Sequence, residues 1–399
     1  MLIHGTIIVL TIATGLAILS IINVAIWLYA LYSIRSSIKC LVRLGNNHLR
    51  KHVGTRISVI IPVRNEEETI PLLLKSLIDQ KGSGSMEIIV VDDNSTDNTA
   101  NIVKEYMQKY KNIKYIKINK IPHGWMPKPY LYHIGYRSSS GDILFFIDGD
   151  TWIKSSNLLL KLMNIVLRTN GIVSLLPIFI CRTVRCKLME TLLTTFSHAF
   201  MGFDKVYDKN KKLAWYYGCC WAIKKKLYEK LGTHEIVKDS IVEDRDFAEH
   251  VKSSGYDIKI IHTPGHIVTR WYDGICDTIN VLARVLRRHG IKRSKALVNS
   301  ILIFLGYYLP IITLVYGIIY GFQILILLGI MQYILLVINH VYGAKLNGYS
   351  KLYSVAAPLL GIVLSIGLLK AALIEKIYWK KRIVEEPLKA RKQLGNQSS

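Results

Sequence analysis

Two acidic residues, Asp148 and Asp150, stand on either side of Gly149, directly after the apolar run at residues 143–147. Like charges this close repel each other, so the pair is unfavourable unless a cation lies between the carboxylates. A hard divalent cation removes that repulsion and keeps coordination positions open for substrate phosphates. The spacing therefore predicts a divalent metal site, and a simple glycine-containing turn is the alternative.

A second acidic group follows another apolar run. Asp92 and Asp93 come directly after residues 87–91, and the polar segment continues to Asp97. Carboxylates in this position can accept hydrogen bonds from a ligand. The same segment is also explained locally as a turn that leads into a helix cap, because Asn and Ser are favoured at such positions. Both interpretations stay open on local grounds.

The apolar runs alternate with segments of helical periodicity, and both kinds have the lengths expected of buried strands and covering helices. Strands are predicted at residues 57–62, 87–91, 113–118 and 143–147, and helices at residues 66–80, 94–110 and 128–137. This alternation predicts an α/β domain whose sheet is mostly parallel and covered on both faces. Ligands of such sheets bind at the carboxyl ends of the strands, which is where the acidic residues fall.

Other phosphate-binding folds are excluded by their motifs. No G-x-G-x-x-G follows the first predicted strand, and no G-x-x-x-x-G-K-[ST] occurs in the chain. Neither a dinucleotide-binding fold nor a P-loop is therefore predicted. A phosphatase with an aspartate nucleophile would carry its acidic pair on the opening strand, whereas this pair follows the fourth.

The composition favours an anionic partner. The 399 residues are 51% hydrophobic and carry a formal net charge of +24. Nucleic acid, lipid headgroups and phosphorylated substrates are the partners that such a charge attracts. The chain shows no zinc-finger, RRM-like or basic-zipper pattern, so we predict no nucleic-acid partner. Anionic membrane is the simplest alternative.

Long uncharged runs predict membrane segments, since a helix needs about 20 apolar residues to cross a bilayer. No charged residue precedes Arg35, residues 296–344 are uncharged with a break near 320–323, and residues 352–373 are again apolar. The predicted organisation is an N-terminal transmembrane anchor at 1–34, a cytoplasmic domain at 35–295, a C-terminal transmembrane region of about three spans at 296–374 and a basic polar tail at 375–399.

Basic residues predict the orientation, because they concentrate on the cytoplasmic side of membrane proteins. They cluster at residues 35–51 and 284–295, which places the intervening domain in the cytoplasm of a multi-pass cell-membrane protein. The tail disagrees, because four spans would put its basic residues outside. Either one apolar segment re-enters the membrane or the tail lies on the inner face.

The cysteines suggest a reduced setting. None of the six forms a C-x-x-C pair, so neither a zinc site nor a redox dithiol is predicted. Cys219 and Cys220 are interpreted as small buried residues. This usage fits the cytoplasm.

Several motifs occur together in a specific order. They are ISVIIPVRNEE at 57–67, VVDDNSTDNT at 90–99, GWMPKP at 124–129, FFIDGDTWI at 145–153 and VEDRDFAEHVKSSGY at 242–256. Together they resemble the inverting family 2 glycosyltransferases, over roughly residues 56–289. The anchor, the C-terminal spans and VTRWYDG at 268–274 are most similar to the subgroup that glycosylates lipids such as carotenoids.

The resemblance implies a GT-A fold, Rossmann-like and mostly parallel, and assigns roles to individual residues. The implied nucleotide-sugar-binding residues are Pro62, Arg64, Glu66, Asp92, Asp93, Lys128 and Asp148. The implied metal ligands are Asp150 and Asp148, and the implied catalytic residues are Asp244, as the base, and Glu243. Gly149 departs from the common Asp-Ala-Asp only by a methyl group. The absence of Gln at position 267 departs from the Gln-x-x-Arg-Trp of polysaccharide synthases and counts against a processive synthase.

The resemblance also divides the cytoplasmic domain. Residues 57–150 would bind the nucleotide sugar and residues 151–270 the acceptor. Residues 271–295 would form an interfacial helix, whose apolar positions Ile275, Ile279 and Leu282 recur at helical spacing. A surface helix packed on the domain is the alternative.

The chemistry of sugar transfer assigns these residues complementary tasks. A divalent metal, Mn²⁺ or Mg²⁺, with Lys128 would neutralise the leaving diphosphate. Asp244 would take the proton of the acceptor hydroxyl as general base. The alternative for Asp244 is a carboxylate favoured by the N-terminal dipole of a helix, and both can hold together.

The sequence thus predicts a metal-dependent inverting glycosyltransferase that moves sugar from a UDP- or GDP-sugar to a membrane lipid or lipid-linked acceptor. One alternative is a polyprenyl-phosphate glycosyltransferase, whose acceptor is already ionised, and another is a polysaccharide synthase. A third, from a different class, is a non-catalytic scaffold that binds anionic lipid.

Overall fold

The computed structural model describes residues 2–45, 54–82, 85–286, 292–373, 377–379 and 382–384. The chain forms two compact units. The helical unit comprises Met1–Cys40, Cys181–Asp204 and Trp271–Ile374, and the sheet unit comprises Leu41–Ile180, Lys205–Arg270 and Glu375–Ser399. Parts of the two basic clusters used to predict the orientation lie outside the described residues, namely those at 46–53 and 287–291. Most of the tail also lies outside them.

The strands run through the sheet unit. In chain order they are β1 (Val42–Arg43), β2 (Arg56–Val63), β3 (Ser85–Asp92), β4 (Ile113–Lys117), β5 (Ile143–Ile147), β6 (Thr151–Ile153), β7 (Gly171–Leu176), β8 (Ile178–Ile180), β9 (Cys220–Lys224), β10 (Asp257–His262), β11 (Ile267–Arg270), β12 (Ile377–Trp379) and β13 (Arg382–Val384). Eight of them form one sheet in the order β1-β10-β7-β9-β5-β2-β3-β4. Strand β9 pairs antiparallel with both neighbours, and the other pairs are parallel.

Two smaller sheets accompany the main one. Strand β11 pairs antiparallel with β6 and parallel with β8, and β12 pairs antiparallel with β13.

The helices are distributed over both units. They are α1 (Leu2–Lys39), α2 (Ile70–Ile78), α3 (Thr99–Lys109), α4 (Pro127–Arg137), α5 (Leu158–Arg168), α6 (Val184–Phe200), α7 (Phe203–Tyr207), α8 (Lys225–Lys230), α9 (Glu243–Ser253), α10 (Ile275–Leu286), α11 (Arg293–Tyr320), α12 (Gln323–Asn347) and α13 (Pro358–Leu373), with 3₁₀ turns at Thr233–Val237 and Lys351–Ala356.

The predicted α/β class and its mostly parallel sheet are confirmed. Strand β5 has the predicted bounds, and β2, β3 and β4 differ from prediction by one or two residues at their ends. These runs are β-branched and apolar, and seven of the eight residues of β2 are buried, as expected of strands covered on both faces. The core of the unit is formed by their side chains together with those of α2 and α5.

Two helices begin later than predicted, at Ile70 instead of 66 and at Thr99 instead of 94. Asn65 and Asn94 each adopt a positive φ, 54° and 50°. This left-handed conformation cannot continue into a right-handed helix, and Asn is among the few residues that tolerate it. The polar residues after β2 and β3 therefore lie in turns rather than in helices.

Among the described residues of the helical unit, three helices are long and apolar enough to cross a membrane, namely Gly5–Lys39, Arg293–Tyr320 and Gln323–Asn347. The predicted break between the last two is present, at a Gly321 with φ 70°. Helix α13 has 16 residues. At 1.5 Å per residue it is about 24 Å long, shorter than the hydrocarbon core of about 30 Å. The C-terminal region thus provides two full-length candidates where about three spans were predicted.

Polar side chains join these helices inside the unit. Asn23 donates to Gln332 at 2.9 Å, and the hydroxyls of Ser20 and Thr313 lie 3.0 Å apart. Interhelical hydrogen bonds of this kind stabilise helix association where the surroundings are apolar. The predicted helix α10 is present, and its partly buried Ile279 packs against the core of the helical unit.

One disulfide corrects the interpretation of the cysteines. Cys181 and Cys186 are bonded, with Cα atoms 5.3 Å apart. Their separation of five residues is not a C-x-x-C, so motif spacing missed the pair. The turn into α6 brings the two together, because Thr183 caps the helix and accepts a hydrogen bond from the amide of Cys186. The absence of a C-x-x-C pair gave no indication of this bond. Cys220 is buried as predicted, whereas Cys219, also predicted to be buried, is only partly buried.

Candidate active site

The two aspartates after β5 are held by their backbone. The amide of Asp148 donates to the carbonyl of Cys219 at 2.9 Å, and the carbonyl of Asp150 accepts from the amide of Arg270 at 2.9 Å. The segment is therefore fixed between the start of β9 and the end of β11. Its carboxylates stand at the carboxyl end of β5, where ligands of parallel sheets bind.

Gly149 lies in a space that admits no side chain. A methyl group here would stand 2.9 Å from Cγ1 of Val63 and 3.1 Å from Cγ of Glu66. The common alanine between the two aspartates would therefore clash in this chain. The close approach also shows that the segment after β5 packs directly on the end of β2.

Lys128 lies between two carboxylates of the site, those of Asp148 and Glu243. It lies in the first turn of α4, and its Nζ is 3.0 Å from Oδ2 of Asp148 and 3.1 Å from Oε1 of Glu243. The other oxygen of Asp148 faces Tyr132, whose hydroxyl is 3.2 Å from Oδ1. Residues 20 and more than 100 positions apart in sequence thus meet at one ammonium group.

Glu243 and Asp244 occupy the first turn of α9, where the helix dipole favours negative charge. Glu243 is buried. Asp244 accepts a hydrogen bond from the amide of Arg245 at 2.8 Å. A methyl group on Gly218 would stand 2.9 Å from Oδ2 of Asp244. The helix-terminus interpretation of Asp244 is therefore geometrically valid, and it leaves Oδ2 beside a bare stretch of backbone.

The charges at this end of the site are unbalanced. Burial, then the neighbouring Asp148, raises the pKa of Asp150 to about 7. Burial, then the charge of Glu243, raises the pKa of Asp244 to about 7. Burial alone would lower the pKa of Lys128, but Asp148 and Glu243 outweigh it and hold that pKa well above its usual value. Protonated carboxyls near neutral pH indicate a site that favours additional positive charge.

These residues fit a divalent cation. Both oxygens of Asp148 already face Lys128 and Tyr132, so Asp150 is the carboxylate with more freedom to bind a metal. Over the described ranges, no group of three or more His, Cys, Asp or Glu side chains is arranged to hold a metal. Oxygen ligands from substrate phosphates and water would complete the coordination, as is usual for Mg²⁺-type sites. We call Lys128, Asp148, Asp150, Glu243 and Asp244 the transfer end.

The residues after β2 and β3 form a second group, which we call the nucleoside end: Pro62, Arg64, Glu66, Asp92 and Asp93. Val63 pairs with Asp92 in the parallel register of the two strands, so the strand ends lie side by side. The guanidinium of Arg64 is 3.6 Å from Oδ2 of Asp93 and also donates to the carbonyl of the same residue. Asp93 is fully buried.

Asp92 makes contacts that anchor the loop. Its Oδ2 accepts from the hydroxyl of Tyr115 at 2.6 Å, and its Oδ1 accepts from the amide of Ser95 at 2.9 Å. Both oxygens thus accept hydrogen bonds from within the protein. These contacts agree with the interpretation of this segment as a turn and cap. Glu66 is likewise buried and accepts a hydrogen bond from Thr69 at 2.7 Å.

The structure therefore brings most of the predicted residues to one edge of the sheet but in two groups with different contacts. Three further residues contact the predicted ones and were given no role in the motif analysis: Tyr132, Gly218 and the tightly packed Val63. Tyr132 had a detectable signal, because it follows Lys128 by four residues on a predicted helix and so shares its face. Gly218 had none, since its role depends on a contact with a distant helix.

Part of the chain is similar to known proteins. Residues 58–232 match the family described as Glycosyl transferase family 2. The chain is 38% identical over 123 residues, 30% of its length and 32% of the relative, to 4,4'-diaponeurosporenoate glycosyltransferase of Staphylococcus haemolyticus. It is 29% identical over 213 residues, 51% of its length and 48% of the relative, to the probable glycosyltransferase YdaM of Bacillus subtilis. The matches thus span less than half of these relatives.

A solved structure shows the same fold. The mannosyltransferase PcManGT from Pyrobaculum calidifontis, in complex with GDP-Man and Mn²⁺, superposes with a TM-score of 0.52 at 17% identity, over 90% of this chain and 98% of that one. At this identity the likeness concerns the architecture, and it agrees with the mostly parallel sheet and flanking helices described above.

Proposed function

We propose that this chain, whose residues 58–232 form a family 2 glycosyltransferase domain, transfers a sugar with inversion from a nucleotide-sugar donor to an acceptor at the membrane. One observation carries the proposal. Lys128 Nζ contacts Asp148 at 3.0 Å and Glu243 at 3.1 Å. A cation suited to the donor diphosphate thus touches the helix turn that bears the candidate base, so both halves of a transfer reaction have their groups in one place.

The leaving diphosphate would bind on one side of Lys128. Lys128 is charged, and it would contact the donor diphosphate while it stays beside the carboxylates of Asp148 and Glu243. Asp150, with Asp148, would hold a divalent cation, which supplies electrostatic stabilisation of the diphosphate when bound. A solved structure of the same fold contains Mn²⁺ and GDP-Man, which supports the use of a divalent cation. Preorganised charge at the developing anion is typically the largest contribution to catalysis.

The acceptor hydroxyl, the nucleophile, would bind on the other side, near Asp244. Asp244 would accept the proton of the acceptor hydroxyl as the hydroxyl oxygen attacks the anomeric carbon. A base is most effective when its pKa lies near the working pH, and burial with Glu243 raises the pKa of Asp244 to about 7. Lys128 fixes Glu243, so the first turn of α9 is held while the proton moves.

The nucleoside would bind at the ends of β2 and β3. Pro62, Arg64 and Glu66 would line its pocket, and Asp93 would accept hydrogen bonds from the base. Asp92 would act beside Asp93 by holding the loop through Ser95 and Tyr115. This division leaves the choice between a UDP- and a GDP-sugar to direct measurement.

The acceptor we propose is a membrane lipid or lipid-linked molecule. The three long apolar helices support membrane association, and one relative is a carotenoid-type diaponeurosporenoate glycosyltransferase by name. Three crossings, with α13 too short to add a fourth, would return the basic tail to the side of the sheet unit. That arrangement satisfies the preference of basic residues for the cytoplasm at both ends.

The orientation is testable with the exposed Cys276. A membrane-impermeant maleimide should label this residue only after cells are opened. A tag fused to the tail should likewise become accessible only after cells are opened. Cys276→Ser gives the background. Labelling in intact cells contradicts the cytoplasmic placement.

Sugar transfer itself is tested in membranes that contain the full chain. Radiolabelled UDP- and GDP-sugars are supplied with Mn²⁺ or with a chelator, and lipid extracts are counted. Label in the lipid fraction that requires both metal and Asp244 supports the proposal and identifies the donor. Full activity of Asp244→Asn points instead to an acceptor that is already ionised, such as a polyprenyl phosphate.

Nucleotide binding gives a second readout. Titration of the purified protein with UDP and GDP should show Mn²⁺-dependent binding in the wild type. In Asp150→Ala we expect the affinity measured with Mn²⁺ to fall to the level measured with chelator. Absence of metal-dependent binding in the wild type contradicts the proposed function.

A further inference from the structure

Tyr132 and Lys128 hold one carboxylate from a single helix. Lys128 Nζ lies 3.0 Å from Oδ2 of Asp148, and the hydroxyl of Tyr132 lies 3.2 Å from Oδ1. The two residues are four apart on α4 and therefore share a face. With both oxygens engaged, the plane of the Asp148 carboxylate is fixed and not merely its position.

The same hydroxyl reaches a second element. It is 3.2 Å from the carbonyl oxygen of Gly218. A phenol carries one proton, so its donation is shared between this carbonyl and Asp148. Gly218 lies against Asp244, since a methyl group on it would stand 2.9 Å from Oδ2. Tyr132 thus connects the carboxylate on the donor side with the backbone that supports the base.

The ring of Tyr132 is itself immobilised. It is 1% exposed, and its centroid lies 4.8 Å from that of Phe146, 5.0 Å from that of His234 and 6.1 Å from that of Trp221, all in edge-on arrangements. Packing on these sides leaves the hydroxyl little freedom. A buried hydroxyl is retained where it has partners, because leaving it unpaired is unfavourable.

We propose that Tyr132 is a positioning residue for sugar transfer: its hydroxyl sets the distance between the Asp148 carboxylate and the backbone at Gly218, and so between the donor and the base Asp244. The inference rests on the proposed function, because it takes Asp148 and Asp244 as the two sides of the reaction. In this inference Tyr132 acts through these groups.

Removal of the hydroxyl should slow the chemical step more than it weakens binding. In Tyr132→Phe the ring and its packing stay, and Lys128 still holds Asp148. A lost hydrogen bond to a charged group corresponds to roughly a 10- to 100-fold effect. We expect kcat to fall by about that factor, while KM for the donor and the Mn²⁺-dependent Kd for nucleotide change by less than about threefold.

Tyr136→Phe is the matched control. Tyr136 follows on the next turn of α4, and its hydroxyl donates to Glu229 at 3.0 Å, outside the site. The variant removes the same atom from the same helix. Initial rates over a range of donor concentrations, nucleotide titrations with Mn²⁺ and thermal melting are measured for both variants and the wild type, in the full-length protein.

The outcomes separate the two proposals. A kcat loss confined to Tyr132→Phe, with binding and melting close to wild type, supports the inference. Wild-type kcat in Tyr132→Phe overturns it, as does a loss of kcat and nucleotide binding in proportion to a lowered Tm, which indicates a structural residue only. A wild type that neither binds nucleotide with Mn²⁺ nor transfers sugar overturns the proposed function, and the inference with it.

Discussion

The nucleoside end and the transfer end of the site differ in how their charges are compensated. At the nucleoside end Arg64 pairs with Asp93, and both carboxylate oxygens of Asp92 accept hydrogen bonds, from Tyr115 and from Ser95. At the transfer end four carboxylates surround one lysine, and Asp150 and Asp244 have pKa values raised to about 7 by burial and by their acidic neighbours.

This difference indicates two kinds of preparation for a ligand. A compensated group needs no ligand to be stable, so the nucleoside end is built in advance as a rigid surface. An uncompensated group gains stability when positive charge arrives, so the transfer end is suited to a substrate that brings a cation with its phosphates. Substitutions at the transfer end should therefore affect catalysis, whereas substitutions at the nucleoside end should affect stability and nucleotide binding more than kcat.

The largest effect is expected from Asp244→Asn. The amide cannot accept the acceptor's proton, so kcat should fall by about 10²- to 10⁴-fold, the usual contribution of a general base. Nucleotide binding should persist, because the donor contacts lie elsewhere. Initial rates and nucleotide titration on one preparation measure both.

Glu249→Gln is the control on the same helix. Its carboxylate pairs with the side chain of Arg245 at 3.5 Å, and no role in the transfer reaction is assigned to it. A comparable loss of kcat in this variant would show that α9 tolerates no charge change, and the base assignment of Asp244 would lose its support.

The pH dependence of the rate should follow the ionisation of Asp244. A base works only when deprotonated, and the pKa of Asp244 is raised to about 7 by burial and by Glu243. Hence kcat should rise about tenfold per pH unit below this value and level off above it. A profile measured with saturating donor that stays flat from about pH 5.5 to 8.5 contradicts this prediction.

Gly149→Ala should damage the transfer end through packing. The added methyl meets Val63 at 2.9 Å, and overpacking a buried site costs about 1–3 kcal/mol. We expect a lowered Tm and reduced activity. The double variant Gly149→Ala with Val63→Ala opens the space and should recover part of the activity. Equal loss in the single and double variants would show that the contact with Val63 is not the cause.

The smallest catalytic effect is expected at the nucleoside end. Tyr115→Phe removes the hydroxyl that donates to Asp92 at 2.6 Å. The free energy of unfolding should drop by about 1–3 kcal/mol, as for other hydrogen bonds to charged groups, with kcat nearly unchanged. Denaturant unfolding and initial rates test this together. A kcat loss as large as that of Asp244→Asn would remove the distinction between the two ends.

Motif reasoning predicted the residues of both ends but not the contacts that they make. Asp92 and Asp93 are neighbours of one type, and their sequence context alone does not separate the anchor from the group that pairs with Arg64. The structure separates them because Tyr115, from the adjacent strand β4, reaches only the first. The sequence showed only that Gly149 differs from the common alanine by a methyl group, and the structure shows that Val63 and Glu66 leave that methyl no room.

The membrane segments were also predictable only in part. Apolar length predicted the helices and the break at residues 320–323, because both depend on local composition. The length of α13 was not predictable, since a 3₁₀ turn at Lys351–Ala356 takes up part of the apolar stretch.

The sequence by itself determined the alternation of strands and helices, the location of acidic residues at strand ends and the long apolar helices, because each depends on the local order of residue types. Tertiary structure alone decided that Lys128 joins Asp148 to Glu243, that Tyr132 joins Asp148 to Gly218, and that Cys181 bonds Cys186. Such contacts depend on distances between segments that are far apart in the chain or turned by a particular loop. They arise from the register and packing of the whole sheet unit or helical unit, which no local pattern encodes.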